Sequence, residues 1–271
     1  MIVLLSPAKD LARETPAVDD ATRPALLAHA APLAAKLKGM SAKQLAALMD
    51  LSPRLAELNR ERFQRWSAPF TPGNARPAIF CFNGEVYRGL EARTLSGADL
   101  RFAQAHVRIL SGLYGVLRPL DLMQDYRLMM GTPLAVGRFK DLYAYWGHRI
   151  TDALKADLQA SGGDTVVNLA SAEYFKAVNP ARMGARVVTP VFKDRVGGDY
   201  KPLQVYQKFQ RGAMARFIIQ HRILDAERIK GYESDGYRFA PDMSTEGQWV
   251  FVRDRRSPKA APKKLQGGRV R

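Results

Sequence analysis

The sequence Ile2-Val-Leu-Leu-Ser-Pro-Ala-Lys9 decides the expected fold class, because four consecutive apolar residues lead directly into a turn. A short, wholly apolar run that stops at a turn predicts a buried β-strand. The strand ends at Ser6-Pro7, so the Ser6 hydroxyl and the Lys9 ammonium are expected on the loop that follows it. A strand that delivers polar side chains to a loop points to an α/β type of protein.

Predicted helices and strands are interspersed along the rest of the chain. Helical spacing of apolar residues predicts helices at 24–38, 42–49, 53–65, 97–109, 140–159 and 207–221, with a short helix at 172–177. Apolar runs predict further strands at 78–82, 165–170, 186–192, 203–206, 236–239 and 248–253. The order shows neither a regular βαβ period nor an internal repeat. We therefore expect one domain of mixed α/β (α+β) class, with a mixed sheet surrounded by helices.

Composition supports an ordinary globular protein. Of 271 residues, 46% are hydrophobic and 25% are charged, which argues against a disordered or collagen-like chain. A chain of this length forms a sufficient core without disulfides or a structural metal. No secretory signal is recognisable and no run reaches the roughly 18 apolar residues of a membrane span, so a cytoplasmic protein without a membrane partner is expected.

The net charge of +16 is the most unusual global property. The last nineteen residues, 253–271, hold eight Lys or Arg and one Asp, which leaves nine net positive charges on the preceding part. Residues 257–271 are rich in Pro, Gly, Ala and Lys, and predict a disordered basic tail after a domain at 1–256. Such a tail strengthens contact with a polyanion without specificity. A solubility tail without a partner is the alternative.

Metal and cofactor sites have little support in the sequence. The four histidines lie far apart, and the single cysteine, Cys81, sits in an apolar run where burial lowers reactivity. A lone cysteine also excludes an internal disulfide and a thiolate metal cluster. The chain has no Walker loop, no G-x-G-x-x-G and no G-x-S-x-G. We expect neither a metal nor a cofactor.

Four segments crowd polar side chains and glycines together: 6–9, 83–89, 110–122 and 208–216. Each of them alone is also typical of a turn or a solvated face. In the third, a predicted helix leads into Gly112-Leu-Tyr-Gly115, which predicts a helix-hairpin-helix element whose glycines let backbone N–H groups approach a phosphate. The glycines are one residue further apart than in the tight form of that hairpin. A competing site is 41–65, where two short helices suggest either a helix-turn-helix or a packed helical hairpin.

Several motifs together resemble one protein family. They are Ser6-Pro-Ala-Lys9, Leu110-Ser-Gly-Leu-Tyr-Gly-Val-Leu-Arg-Pro-Leu-Asp-Leu-Met123, Tyr126-Arg-Leu128, Met130-Gly131, Asn168-Leu-Ala-Ser171, Glu173-Tyr-Phe-Lys176 and Arg211-Gly212. Their order over about residues 1–252 is similar to that of the YaaA family of peroxide-stress proteins, and the fourteen-residue run is the most specific of them. The basic tail lies outside the match.

The resemblance implies a bacterial cytoplasmic protein of the hydroperoxide and oxidative stress response, which limits iron-dependent damage. It also implies DNA binding through a positively charged cleft and a helix-hairpin-helix element. The residues expected to bind nucleic acid are Lys9, Asn83, Tyr87, Ser111, Gly112, Tyr114, Gly115, Arg118, Tyr126, Arg127, Ser171, Tyr174, Lys208 and Arg211. This chain departs from the family by having Met129 where a Glu is usual and Phe209 where a second Lys is usual.

Two classes of function follow. In the first, cationic side chains neutralise phosphates of single-stranded, double-stranded or distorted DNA while tyrosines stack on exposed bases. In the second, the chain is an enzyme acting on a nucleotide or a damaged nucleic-acid component, with Lys9 as nucleophile or base. Direct iron sequestration has no visible ligand cluster to support it.

Overall fold

An eight-stranded sheet runs through residues 1–254, the part of the chain that the computed structural model describes. The strands in chain order are β1 (Ile2–Leu5), β2 (Asp10–Leu11), β3 (Arg76–Pro77), β4 (Phe82–Asn83), β5 (Val107–Ser111), β6 (Gly115–Leu117), β7 (Leu122–Met123), β8 (Thr165–Asn168), β9 (Arg186–Val196), β10 (Asp199–Lys201), β11 (Arg238–Phe239) and β12 (Gln248–Arg253). The predicted tail, 257–271, and the last two residues of the predicted domain lie outside the described residues.

Helices are interspersed with these strands. They are α1 (Leu27–Lys38), α2 (Ala42–Met49), α3 (Pro53–Arg65), α4 (Ala78–Cys81), α5 (Glu85–Leu90), α6 (Gly97–His106), α7 (Leu142–Trp146), α8 (Arg149–Ala160), α9 (Ala172–Phe175), α10 (Pro180–Met183) and α11 (Gln204–Gln220). Short 3₁₀ helices cover Ala92–Thr94, Ala226–Gly231 and Pro241–Met243. None of the helices within residues 1–254 combines the length and the apolar character needed to cross a membrane.

The first strand occupies the interior of the sheet. The strand order is β11-β12-β9-β8-β1-β5-β6, with β10 paired to β9. β1 runs parallel to both neighbours, and Val3 is paired with Val107 of β5 and with Val167 of β8. All four residues of β1 are 0% exposed, as expected for a parallel strand that is covered on both faces. The predicted buried strand and the single mixed α/β domain are confirmed.

The order of the strands creates a crevice beside β1. From β1 the chain crosses to β5 on one side, whereas from β8 it continues to β9 on the other side. The loops that follow β1 and β8 therefore leave two adjacent parallel strands in opposite directions. In open α/β sheets, ligands bind in the crevice that such a switch opens at the carboxyl ends of the strands.

Helices α5 and α11 pack with their backbones in direct contact. A Cβ atom added to Gly212 would lie 1.7 Å from the carbonyl oxygen of Val86, and one added to Gly89 would lie 2.1 Å from that of Phe209. Both distances are far below van der Waals contact, so only glycine permits this approach. The contact fixes one face of α11 next to the crevice.

A buried ion pair joins β9 and β12, two neighbouring strands on the side of the sheet away from β5 and β6. The guanidinium of Arg253, at the end of β12, donates to Asp194 Oδ1 of β9 through Nε at 2.8 Å and Nη2 at 2.6 Å. The Tyr237 hydroxyl donates to the second carboxylate oxygen at 2.8 Å. The Arg253 side chain is 0% exposed and lies 4.3 Å from the centroid of the Tyr237 ring. Protein groups therefore satisfy both charges.

The helices predicted at 42–49 and 53–65 have the predicted boundaries, and a serine caps the start of each. Ser41 forms a capping box with Gln44 at the start of α2, and Ser52 caps α3, whose first residue is Pro53. α2 and α3 pack against each other, with Leu45 and Phe63 in the core. They form the packed helical hairpin that was one of the two predictions for residues 41–65.

Other predicted elements were wrong in type or extent. Residues 78–81 form one turn of helix instead of a strand, because a wholly buried apolar run has no periodicity that separates the two. Gly147, at φ +51°, divides the predicted helix 140–159 into α7 and α8. Gly197 and Gly198, both with positive φ, make a tight turn, so β9 pairs with 199–201. The strand predicted at 203–206 is wrong, because α11 begins at Gln204.

The predicted helix-hairpin-helix element is a β-hairpin. α6 ends at His106, and β5 and β6 pair antiparallel with Ser111 opposite Gly115, while the next helix begins only at Leu142. The glycines serve packing: a Cβ on Gly112 would lie 2.3 Å from the Leu128 carbonyl oxygen. Gly115 has φ +70°, and a Cβ there would lie 2.9 Å from the Trp146 ring. This hairpin therefore offers no backbone approach to a phosphate.

Candidate functional site

A cleft of about 600 Å³ opens at the carboxyl ends of β1 and β8. The loops after these two strands, the region of β4 and α5, the segment 126–129 and one face of α11 surround it. Its lining residues are Ser6, Pro7, Ala8, Lys9, Asp10, Asn83, Gly84, Glu85, Val86, Arg88, Tyr126, Arg127, Leu128, Met129, Leu169, Ser171, Glu173, Tyr174, Lys208 and Arg211. The volume is in the range of small-molecule sites, which measure roughly 300–1,000 Å³.

Hydrogen bonds tie the two strand-end loops together. Ser6 Oγ accepts from the backbone N–H of Ser171 at 2.8 Å and donates to Ser171 Oγ at 3.3 Å. Tyr87 donates its hydroxyl to the Ser6 carbonyl oxygen at 3.0 Å from behind the cleft wall. Ser6 is thus bonded to two residues, Ser171 and Tyr87, and Lys9 lies three residues after Ser6 on an exposed part of the loop.

Arg211 is a half-buried cation without a protein counterion. It lines the cleft from α11, and burial lowers the pKa of its guanidinium from the usual value. It forms no hydrogen bond or ion pair with any residue from 1 to 254. Lys208 precedes it by three residues, so the two share one face of the helix. Removing a charge from water without a partner is unfavourable, and an anion in the cleft would offset that cost.

Carboxylates balance part of this positive charge. Glu85 pairs with Arg88 at 2.8 Å. Glu173 Oε1 accepts the backbone N–H of Gly131 at 2.9 Å, and this bond fixes the carboxylate against the segment after Tyr126. Asp10 is the third acidic residue in the lining. The cleft therefore holds five cationic and three acidic side chains, and it differs from a uniformly positive groove.

Two tyrosines give the cleft a partly aromatic wall. Tyr126 and Tyr174 are buried and line it, and the Tyr126 hydroxyl lies 2.7 Å from Ser111 Oγ. Burial raises the pKa of both phenols well above the usual value, so they are neutral hydroxyls at physiological pH. They contribute apolar and neutral polar surface to the lining but no negative charge.

The structure brings eight of the fourteen predicted residues together in the cleft. They are Lys9, Asn83, Tyr126, Arg127, Ser171, Tyr174, Lys208 and Arg211. Tyr87 and Ser111 do not line the cleft, but each is hydrogen-bonded to a residue that does: Tyr87 to Ser6, and Ser111 to Tyr126. The role of each residue in binding stays a prediction.

The other predicted residues lie elsewhere. Gly112, Tyr114 and Gly115 are in the buried β-hairpin, where the Tyr114 hydroxyl accepts from the Trp66 indole N–H at 3.1 Å. Arg118 pairs with Asp121 at 3.2 Å. These four side chains or backbones do not line the cleft.

Sequence reasoning missed the acidic members of the cleft. Glu85 and Glu173 stood inside motifs that were already noted, and Asp10 follows one directly, but none was given a role. Their proximity to these motifs was the available signal.

Within residues 1–254, no group of three or more His, Cys, Asp or Glu side chains is arranged to hold a metal ion. The single cysteine, Cys81, is buried, and burial raises the pKa of its thiol to about 12.

Comparison with known proteins places the whole fold in one family. A family model described as peroxide stress protein YaaA matches residues 1–243. A UPF0246 protein of Burkholderia orbicola is 50% identical over 256 residues, covering 93% of this chain and 98% of the relative. One from Ralstonia nicotianae is 51% identical over 254 residues (93% and 99%), and one from Neisseria meningitidis serogroup B is 48% identical over 254 residues (93% and 98%).

Proposed function

The chain belongs to the peroxide stress protein YaaA family, as its motifs predicted, and from that premise we propose that it binds DNA through the cleft. By binding, this peroxide stress protein would limit iron-dependent oxidative damage to DNA in the cytoplasm. The observation that carries the proposal is the set of cleft cations that lack a carboxylate partner within residues 1–254: Lys9, Arg127, Lys208 and Arg211.

Phosphate is the ligand that suits these cations. Each Lys or Arg that neutralises a phosphate releases condensed counterions, which makes the binding favourable and dependent on salt. Nine net positive charges outside residues 253–271 add long-range attraction for a polyanion. The buried β-hairpin takes no part in the proposed contact, so the cleft must supply it.

A salt titration with charge-matched variants tests the proposal. Binding of labelled single-stranded and duplex DNA by the full chain is followed by fluorescence anisotropy. Lys9→Met/Lys208→Met removes two cleft charges and should reduce the slope of log affinity against log salt by about 2. Lys36→Met/Lys43→Met removes two exposed lysines outside the cleft, and serves as the control. Equal slopes in the two variants, or complete loss of binding on deleting only residues 257–271, would contradict a DNA site in the cleft.

An enzyme acting on a nucleotide or a damaged nucleic-acid component is the second candidate. The position of the cleft favours it, because α/β enzymes use the carboxyl ends of parallel strands at a switch in strand order. Lys9 would act as nucleophile or base beside the Ser6 and Ser171 hydroxyls. Incubation of the protein with oxidised and unmodified nucleotides, with product analysis by mass spectrometry, tests this. Turnover that survives in Lys9→Met would exclude that role for Lys9.

A further inference from the structure

We infer that the cleft holds one nucleotide at a time, with its phosphate on Arg211 and Lys208 and its base against Tyr126 and Glu173. This inference rests on the proposed function and deepens it, because it names the unit of nucleic acid that enters. The shared chemistry is a nucleoside monophosphate, either free or as an unpaired residue of DNA.

The size of the cleft excludes a duplex from its interior. A volume of about 600 Å³ corresponds to a cube with edges of roughly 8 Å. A DNA duplex is too wide for this space, because its major groove alone measures about 12 Å across. A nucleobase with its sugar and phosphate fits such a space, as other ligands of that size do. Paired DNA could therefore contact only the rim.

The cations indicate where the phosphate lies. Arg211 is withdrawn from water and unpaired within residues 1–254, and Lys208 stands one turn away on the same face of α11. The glycine contact at Gly212 holds this helix against α5, so the backbone positions that carry both cations are fixed beside the cleft. A planar guanidinium beside an ammonium matches the several oxygens of a phosphomonoester better than it matches a single carboxylate.

Glu173 indicates where the base lies. Its Oε1 is held by the backbone of Gly131, which leaves Oε2 and a further lone pair available as acceptors. A carboxylate accepts N–H groups and repels a second phosphate, so this side suits the donor edge of a base. Guanine offers two adjacent N–H donors on its pairing edge, whereas thymine offers one. We therefore expect a guanine nucleotide to bind more tightly than a thymine nucleotide.

Apolar and aromatic groups form the wall of the cleft that the base would contact. Tyr126, Leu128 and Tyr174 are buried residues of the lining. Contact of a base with apolar and aromatic side chains is tolerant of base identity, so Glu173 would supply the selectivity. Three carboxylates in the lining also disfavour an extended run of phosphates inside the cleft, which again points to a single nucleotide.

Calorimetric titration of the full chain tests the inference with defined probes. dGMP should bind at least about tenfold more tightly than deoxyguanosine and than inorganic phosphate. Arg211→Met should weaken dGMP binding by a similar factor and leave deoxyguanosine binding unchanged. Glu173→Gln, which keeps an oxygen for Gly131, should reduce the preference for dGMP over dTMP. Arg54→Met removes an exposed arginine away from the cleft and should change none of these values.

A competition experiment distinguishes the two sources of the nucleotide. dGMP should displace a labelled duplex that contains one unpaired guanine, but not a fully paired duplex of the same length. If dGMP binds without displacing either DNA, the site takes free nucleotides only, and the inference holds while DNA binding in the cleft fails.

The opposite outcomes are equally distinct. If DNA binds and dGMP neither binds nor competes at millimolar concentration, the single-nucleotide inference is overturned and the DNA-binding proposal stands. If inorganic phosphate binds as tightly as dGMP, the site recognises phosphate alone and the inference is overturned. If neither DNA nor dGMP binds, both proposals are overturned. Thermal unfolding of each variant verifies that the substituted proteins are folded.

Discussion

Arg253 and Arg211 are both withdrawn from water, but their surroundings are opposite. Arg253 donates two hydrogen bonds to Asp194 and lies over an aromatic ring, whereas Arg211 has no partner within residues 1–254. The first charge is satisfied by the protein and serves the fold. The second is left for a ligand. Burial alone therefore does not separate a structural charge from a functional one, but the presence or absence of a protein counterion does.

The largest expected effect comes from breaking the satisfied pair. Asp194→Asn keeps the shape of the side chain but leaves the Arg253 guanidinium buried without its counterion. We expect a loss of about 3–5 kcal/mol in the free energy of unfolding, measured by urea denaturation. Asp199→Asn on β10, whose carboxylate is 75% exposed, should change the same quantity by less than about 0.5 kcal/mol. A small effect of Asp194→Asn would remove the distinction between the two arginines.

The next effect concerns the helix contact that positions Arg211. In Gly212→Ala the new methyl group meets the Val86 carbonyl oxygen, so α11 must move away from α5. Overpacking of this kind costs about 1–3 kcal/mol, and the DNA affinity should fall with it because both cleft cations lie on α11. Gly231→Ala, which has no atom within 4 Å of the added Cβ, is the control. Unchanged affinity in a destabilised Gly212→Ala protein would show that the cleft does not depend on this contact.

An exposed cap with its ion pair should have an intermediate effect that depends on pH. Ser96 Oγ donates to Asp99 Oδ2 at 2.7 Å, and Arg222 donates to Asp99 Oδ1 at 2.6 Å, and these bonds lower the pKa of Asp99 to about 2. Ser96→Ala should cost about 1 kcal/mol near neutral pH.

The pH dependence of this cap has a defined sign. Because the folded pKa of Asp99 is below its unfolded value, its contribution is present above about pH 4 and is lost as the pH falls towards 2. The difference between wild type and Ser96→Ala in urea midpoints should shrink over that window. A constant difference down to pH 2 would show that the hydroxyl acts without the carboxylate.

The smallest effect on stability should come from Arg211→Met. This change removes an unpaired, half-buried charge and keeps most of the side-chain volume, so the free energy of unfolding should stay within about 0.5 kcal/mol or rise. Binding in the cleft should nevertheless weaken about tenfold. Loss of stability equal to that of Asp194→Asn would place Arg211 with the structural charges.

Local signals in the sequence predicted the parts of the fold that depend on neighbouring residues. The apolar run of β1 and the helical spacing of residues 42–49 and 53–65 each depend on residues a few positions apart, and the structure has these elements as expected. Lys9, Lys208 and Arg211 could be assigned to one cleft from motif resemblance. Periodicity had no means to place them together, since they lie at opposite ends of the chain.

The wrong predictions depended on partners distant in sequence. Gly112 and Gly115 suggested an opening for a phosphate, but the backbone of Leu128 and the ring of Trp146 fill the space beside them. The role of Glu173 becomes visible only when the loop after β8 meets Gly131. Such contacts depend on tertiary packing, and no pattern among neighbouring residues in the sequence predicts them.

The central position of β1 also affects how the chain is made and folded. Its pairing partners, β5 (Val107–Ser111) and β8 (Thr165–Asn168), come later in the sequence, so β1 is synthesised well before either strand that pairs with it. Contacts this distant along the chain close slowly, and an unpaired apolar strand is open to aggregation meanwhile. The loop that carries Lys9 therefore follows a strand that is unpaired early in synthesis, and the cleft is complete only after α11, which carries Lys208 and Arg211, has been made.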